Sequence, residues 1–218
     1  MRINADFSRR ALVVPEPGDW VTSPVPGVER LMLDRIGDEV ARATSIVRYA
    51  AGSSFDRHLH ALGEEYLVLE GVFSDEHGDY PPGTYVRNPP GSGHSPFSEG
   101  GCRILVKLRQ FDLADQKQVV VRSAVAALWP DPDDGFRLLP LHEYGSERVL
   151  MLKADAGRSL PLETDPGGTE LLVVSGALDY EGRTLPAESW LRLPPGDTVK
   201  LEALAASVVW IKYGHLPP

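Results

Sequence analysis

The chain of 218 residues carries 22 Lys and Arg against 31 Asp and Glu, a formal net charge of −9 at pH 7 with His neutral. Proteins that track phosphates gain most of their affinity from clustered basic side chains, so this balance argues against a nucleic-acid partner. Apolar residues make up 42% of the chain and charged residues 24%, which is typical of a folded globular protein.

The sequence gives no sign of export or of membrane insertion. Its single cysteine, Cys102, cannot form an intramolecular disulfide. The first ten residues, MRINADFSRR, carry charges and are not followed by an apolar segment, unlike a secretory signal. The longest weakly polar stretch, residues 203–211, is far shorter than the roughly 18–20 apolar residues that cross a bilayer. We therefore expect a cytoplasmic protein without a membrane partner.

The predicted elements are almost all strands. The 21 glycines and 19 prolines resist helix interiors, and the apolar runs between them are short and rich in β-branched residues. One stretch of helical character, about 123–128, lies in a segment between two groups of strands. In chain order, the clearest predicted strands are residues 66–70, 103–108, 171–175 and 207–213.

The chain contains an internal repeat at an offset of 105 residues. The matching positions are Gly52 with Gly157, Gly71 with Gly176, Pro89-Pro90-Gly91 with Pro194-Pro195-Gly196, and Lys107 with Lys212. Each half has about a hundred residues, the common size of a domain. The repeat predicts two tandem β-barrels or jelly rolls, with domains at 1–115 and 116–218.

Candidate metal ligands lie in the first half. His58 and His60 are two residues apart on a segment expected to be extended, so both imidazoles point to one face. Glu64 has the same parity four residues later, and His94 follows the turn GTYVRNPPGSG. Three imidazoles and one carboxylate suit a divalent ion such as Fe, Mn, Ni, Cu or Zn.

These residues carry a resemblance to the cupin superfamily. Residues 52–71 match its first motif, G-x5-H-x-H-x3-E-x6-G, and residues 83–94 match its second, G-x5-P-x-G-x2-H. Ser98 replaces the Asn that often follows the second motif in this superfamily. The resemblance implies an all-β chain of two cupin-type double-stranded β-helix barrels. It also implies that a divalent transition metal (Fe, Zn, Mn or Ni) is held by His58, His60, Glu64 and His94.

The segment HLHALGEEYLVLEG, followed by PPGSGHSPFSEGG, is similar in sequence to the ChrR-like cupins. That group includes the cupin domains of anti-sigma factors and small dioxygenases such as those acting on dihydroxyacetophenone. The resemblance therefore implies either an enzyme or a regulatory domain.

The second repeat lacks this ligand set. At the offset of 105, the four ligands correspond to Glu163, Asp165, Thr169 and Val199. No nitrogen ligand remains, and two carboxylates alone make a poor site for a hard cation. We expect a degenerate site and a structural role for the C-terminal barrel.

Four further residues have two interpretations each. Tyr66 and Val68 share the parity of Glu64, so they line the cavity or belong to the ordinary core. Arg103 and Arg109 could bind a substrate carboxylate, although a solvated surface is the favoured interpretation for both.

Three functions stay open at this stage. The first is a metal-dependent dioxygenase acting on a small carbonyl or phenolic compound, for which no separate catalytic acid or base can be chosen. The second is a sensor related to anti-sigma factors, with a sigma factor or other regulator as partner. The paired cysteines of the sigma-binding segment are missing here, which weakens a direct role. The third is a metal- or ligand-binding protein without turnover. The metal, the small-molecule ligand and the choice between monomer and homodimer are not fixed by the sequence.

Overall fold

The structure is a computed structural model that describes residues 1–132 and 134–217. The strands up to residue 122 are β1 (Arg2–Ile3), β2 (Ala11–Val13), β3 (Val21–Thr22), β4 (Val28–Ile36), β5 (Arg42–Tyr49), β6 (Ser53–Ser54), β7 (His58–Leu59), β8 (Glu64–Gly71), β9 (Phe73–Asp75), β10 (Gly78–Tyr80), β11 (Thr84–Asn88), β12 (Gly93–His94), β13 (Phe97–Ser98), β14 (Cys102–Leu108) and β15 (Val119–Arg122). After a short 3₁₀ helix at Ala126–Leu128 come β16 (Phe136–Tyr144), β17 (Glu147–Ala154), β18 (Thr169–Ser175), β19 (Ala177–Tyr180), β20 (Arg183–Pro186), β21 (Trp190–Leu193), β22 (Leu201–Ala203) and β23 (Ser207–Tyr213). The all-β prediction is confirmed. In the described part of the chain, no helix has the length and apolar character needed to span a membrane.

The chain divides into two compact units, which we call unit 1 and unit 2. Unit 1 comprises residues 1–5 and 16–124, and unit 2 comprises residues 6–15 and 125 onward. This division differs from the predicted boundary between residues 115 and 116. The reason is strand pairing: β15 adds to β11 in unit 1, and β2, near the N-terminus, adds to β21 in unit 2.

Each unit is built from a large and a small antiparallel sheet, and in unit 1 β7 and β12 form a further two-stranded sheet. Within the described residues of unit 1, the large sheet has the order β1-β4-β5-β14-β8-β11-β15 with β3 on β4, and the small one the order β10-β9-β13-β6. In unit 2 the orders are β16-β17-β23-β18-β21-β2 and β20-β19-β22. Apolar side chains from both sheets of a unit share one core, as expected for a closed double sheet.

The repeat is visible in the strands themselves. β5, β8 and β14 have the same neighbours as β17, β18 and β23, and β8 and β18 carry a bulge at the same place in the repeat. Gly71 ends β8 with φ +69, and a Cβ there would lie 2.1 Å from the Gly101 carbonyl oxygen. Only glycine fits that close approach of two backbones, and the repeat has Gly176 at the matching position.

On its outer face, the large sheet of unit 1 carries charged side chains that are buried. Arg87 contacts Glu65 and Asp115 at 2.8 Å each, and its guanidinium lies 4.0 Å from the centre of the Phe111 ring. Buried charges are tolerated only when they are paired in this way.

Unit 2 repeats this arrangement with different chemistry. Arg192 lies 4.4 Å from the centre of the Phe7 ring, and Glu170 accepts hydrogen bonds from Trp190 and His215 at 2.7 and 2.8 Å. Phe7 belongs to the N-terminal segment, which gives unit 2 the same contact that Phe111 gives unit 1.

Candidate metal centre

Short strands at one end of unit 1 carry the candidate ligands. His58 begins β7 and lies opposite His94 of β12 in an antiparallel pair. After His60 the chain turns, and the Gly63 amide donates to the His60 carbonyl at 3.2 Å. Glu64 then begins β8. The predicted convergence is still observed, since the turn returns the chain to the same cavity.

The four side chains meet at one point. Their candidate ligand atoms all lie within 4.8 Å of one another. Oε2 of Glu64 is 3.4 Å from Nε2 of both His60 and His94. His60, Glu64 and His94 are buried, and His58 is partly exposed. A buried cluster of three imidazoles and one carboxylate suits a divalent metal ion.

Hydrogen bonds on the far side of each ring fix the orientation of the imidazoles. Nδ1 of His58 contacts the Asp56 carbonyl at 3.0 Å. For His60 the partner is Oγ of Ser92 at 3.1 Å, and that hydroxyl is itself 2.6 Å from the Pro89 carbonyl, to which it donates. The serine oxygen therefore accepts from the ring. An acceptor at Nδ1 places the proton there and leaves the Nε2 lone pair for another partner.

The third ring, His94, has a charged partner. Its Nδ1 lies 3.0 Å from Oδ2 of Asp75, which comes from β9. The Nε2 atoms of His60 and His94 are buried, and neither has a hydrogen-bond partner among the residues that the structure describes. Buried polar nitrogens without a partner are costly, and a metal ion would satisfy both. The donor set therefore fits the ion that the sequence predicts.

Burial and charge act differently on these two rings. Burial lowers the pKa of His60, which favours the neutral form that ligates metals. Burial also acts to lower the pKa of His94, but the hydrogen bond to Asp75 and the charge of Glu64 outweigh it, so the pKa of His94 is raised. Asn88 donates to Oε2 of Glu64 at 3.3 Å and holds that carboxylate in place.

The cluster opens into a cavity of about 250 Å³ inside unit 1. The four candidate ligands line it, together with an apolar wall that includes Phe55, Phe73, Ile104 and Val106. Arg109 also lines the cavity and is only partly exposed, so a role in binding a substrate carboxylate stays open for this residue.

The other sequence interpretations have mixed outcomes. Tyr66 and Val68 lie in the apolar core of unit 1 and are not part of the cavity lining, so the core interpretation is the one observed. Arg103 pairs with Glu70 at the surface, as the solvated interpretation expects. Ser98, in β13, donates to the Val72 carbonyl at 2.7 Å, in the link between β8 and β9.

Sequence reasoning missed the residues that hold the ligands. Asp75, Ser92 and Asn88 lie outside the specified motif positions. Ser92 could have been predicted from the sequence, since it lies in the turn between two motif positions. Asp75 could not, because only the pairing of strands brings it to His94.

In unit 2, an arginine side chain pairs with the two carboxylates that match His58 and His60. Arg148 contacts Glu163 at 2.8 Å and Asp165 at 3.4 Å, and its guanidinium lies 4.9 Å from the centre of the Tyr213 ring. The hydrogen bond from Arg148 lowers the pKa of Glu163, which keeps that carboxylate ionised. Val199, the counterpart of His94, packs against the apolar core. In the described ranges, the His58, His60, Glu64 and His94 group is the one cluster of His, Cys, Asp or Glu with metal-site geometry.

Two double-sheet barrels in one chain, with a His-rich cluster inside the first, define a protein of the cupin class with two barrels. Residues 8–112 and 116–217 each match the ChrR Cupin-like domain family, so the chain belongs to that family. The resemblance seen in the motifs is confirmed. A comparison with curated proteins found no match to this sequence.

Solved structures share the fold at low sequence identity. A provisionally assigned dioxygenase of Nostoc punctiforme has a TM-score of 0.73 and 14% identity, with 94% of this chain and 82% of that chain covered. The bacterial pirin YhhW of Escherichia coli, solved in complex with nickel(II), has a TM-score of 0.69 and 13% identity over 95% of this chain and 99% of that chain. A deletion mutant of oxalate decarboxylase OxdC of Bacillus subtilis has a TM-score of 0.64 and 13% identity over 94% and 76%. These similarities establish the fold alone.

Proposed function

We propose that unit 1 binds one divalent transition-metal ion through His58, His60, Glu64 and His94, and that the protein is a metal-dependent enzyme of the dioxygenase type. Its substrate is a small carbonyl or phenolic compound. One observation carries the proposal: each imidazole has its Nδ1 occupied by an acceptor, and the two most buried Nε2 atoms meet one carboxylate with no other partner. The similarity in fold to a provisionally assigned dioxygenase agrees with it.

The ion, once bound, would polarise a substrate oxygen as a Lewis acid and, if it is iron, supply the redox chemistry that dioxygen requires. The protein's own residues hold and shield the site. Asp75 and Ser92 keep two rings in the tautomer with a free Nε2. The apolar wall with Phe55 and Val106 packs against the body of a substrate and excludes water.

Charge also selects the substrate. Three neutral imidazoles and one carboxylate leave a divalent ion with a net charge of about +1, which favours an anionic or enolisable oxygen donor. Tyr49 lines the same cavity, and burial raises the pKa of its phenol well above the ordinary value. The phenol therefore stays protonated and is able to donate a hydrogen bond to a substrate oxygen.

The test is oxygen uptake by iron(II)-loaded protein with a panel of β-dicarbonyls, catechols and hydroxyacetophenones. We expect uptake with at least one compound class, and its loss in His94→Ala. The variant Arg122→Gln changes an exposed arginine away from the cavity and should keep the activity. Absence of metal-dependent uptake or product across the whole panel would contradict the enzymatic proposal.

Family membership supports a second candidate, a sensor that binds a ligand or an oxidant without turnover. Under this proposal the metal-loaded protein binds small ligands, consumes no oxygen, and retains a sigma factor or other regulator in pull-down experiments. Recovery of no regulator would count against it.

A further inference from the structure

Three arginines face the cavity that holds the candidate metal ligands. Arg30 and Arg35 come from β4, and Arg109 follows the end of β14. All three are half-buried or buried. Cationic side chains are rare on the inner wall of an apolar barrel because their desolvation is costly, so their presence needs an explanation.

A β-bulge brings the two arginines of β4 to the same face. Residues 30 and 35 have opposite parity, which in a regular strand would put them on opposite faces. Met32 lies opposite Ser45 and Asp34 lies opposite Thr44, so Leu33 is an extra residue in the pairing. The cross-strand partners of Arg30 and Arg35 are consequently Val47 and Ala43, both of which line the cavity. Bulges often redirect a side chain in this way near functional sites.

The hydrogen-bonding capacity of these guanidinium groups is largely unused. In residues 1–132 and 134–217, neither Arg30 nor Arg109 has a side-chain hydrogen bond or an ion pair. Arg35 donates to the backbone carbonyl of Asp38, a neutral acceptor. The Asp38 carboxylate is itself bound to the N-terminal ammonium at 2.6 Å.

The electrostatic balance favours an anion. Burial lowers the pKa of Arg35, and the repulsion from Arg30 lowers it further, so the two cations destabilise each other. The exposed carboxylates of Glu39 and Asp38 act in the opposite direction but do not outweigh these two effects. A carboxylate placed among the guanidiniums would relieve this repulsion and accept bidentate hydrogen bonds, which arginine is shaped to donate.

We propose that the cavity binds a small organic acid, with its carboxylate held by Arg30, Arg35 and Arg109 and its remaining oxygen donors directed toward the His-Glu cluster. This inference rests on the proposed function and specifies its substrate class. The cavity volume of about 250 Å³ lies below the range of roughly 300–1,000 Å³ typical of drug-sized ligands, so the acid is small. The apolar side chains that line the same cavity suit an aromatic or short aliphatic body.

The experiment is calorimetric titration of zinc-loaded protein, in which a redox-inert ion prevents turnover. The probes are 3,4-dihydroxybenzoate and acetoacetate, each compared with its methyl ester. Charged hydrogen bonds contribute enough that we expect at least one acid to bind about tenfold or more tightly than its ester. This preference should be lost in Arg30→Gln and in Arg109→Gln and kept in Arg122→Gln.

The outcomes separate this inference from the proposed function. Equal binding of both acids and their esters overturns the anion site, and the zinc content of the same samples then tests the metal site on its own. If no zinc is taken up, the proposed function fails, and the acid-to-ester ratio of the metal-free protein decides the anion site. Thermal unfolding checks each variant. If Arg30→Gln does not fold, Arg109→Gln and Arg30→Lys test the anion site instead. Arg30→Lys keeps the positive charge but loses the bidentate guanidinium group, so we expect an intermediate preference for the acid.

Discussion

Nδ1 of His94 lies 3.0 Å from Oδ2 of Asp75, and both side chains are buried in unit 1. The contact joins β12 to β9, two strands that are 19 residues apart in sequence. It places the proton of the imidazole on the side away from the cluster. The carboxylate also accepts from the hydroxyl of Tyr80 at 3.1 Å and from the amide of His77 at 2.8 Å, so its position is fixed.

We expect Asp75→Asn to weaken metal binding without unfolding the protein. Loss of such a partner typically costs about 10- to 100-fold in metal affinity, because the ring is less well oriented and less basic. Competition with a chromophoric chelator measures the affinity. Asp79→Asn is the matched control, since Asp79 is exposed and contacts Ser74 in the same hairpin. Equal affinity in the two variants would show that Asp75 has no role in positioning His94.

Gly71→Ala should be strongly destabilising, and Gly52→Ala should be mildly so. Both glycines have positive φ, +69 and +77, which costs an alanine about 1 kcal/mol or more. A new Cβ at Gly71 would meet backbone, at 2.1 Å from the Gly101 oxygen, whereas a Cβ at Gly52 would have no atom of the described residues within 4 Å. The free energy of unfolding in urea measures both. A similar loss of unfolding free energy in the two variants would mean that the backbone near Gly71 moves to accommodate the Cβ at little energetic cost.

Removing the Arg148 side chain from unit 2 should not create a second metal site. Arg148→Ala exposes Glu163 and Asp165 to one another, but two carboxylates without imidazole make a weak site for a transition metal. We expect the same metal content per chain as in the unchanged protein. A second tightly bound ion in Arg148→Ala would contradict the view that the guanidinium occupies a degenerate site.

The N-terminal segment of unit 2 should be held by a pH-dependent ion pair. Nε and Nη2 of Arg10 contact the two carboxylate oxygens of Asp197 at 2.5 and 2.8 Å. The hydrogen bond from Arg10 keeps the pKa of Asp197 below its ordinary value. A lowered folded-state pKa stabilises the protein above the unfolded-state pKa, and this stabilisation is lost as pH falls through the folded-state value.

The pair is partly exposed, so we expect Asp197→Asn to cost less than about 1 kcal/mol near neutral pH. The difference from the unchanged protein should be smaller at about pH 3, which lies below the ordinary pKa of an aspartate. Urea unfolding at the two pH values measures it, and a difference that grows on acidification would have the wrong sign for this pair.

Local pattern was enough to predict the strands and the convergence of the four candidate ligands. The runs at 66–70 and 207–213 lie in strands, as expected for short apolar runs that are bounded by glycines and prolines. The motif spacing brings His58, His60, Glu64 and His94 together. The repeat at 105 residues correctly predicts that β8 and β18 are equivalent. These features depend on residues close in sequence or on a spacing that the chain shows twice.

Long-range pairing accounts for what the sequence did not reveal. Arg35 faces the cavity because of one extra residue in β4, and a bulge has no clear signal in the pattern of apolar residues. Asp75 meets His94 only after β9 and β12 are placed by different sheets. The segment 6–15 joins unit 2 although it lies between two segments of unit 1 in sequence, which no local propensity predicts.

The metal content of the purified protein tests the central proposal most directly. Elemental analysis of protein prepared without added metal, and again after loading with iron(II) or zinc and removal of excess ion, should give about one transition-metal ion per chain. His58→Ala combined with His94→Ala should reduce this to near zero, while Arg122→Gln should not. A folded, unchanged protein that takes up no transition metal under any of these conditions would contradict the account.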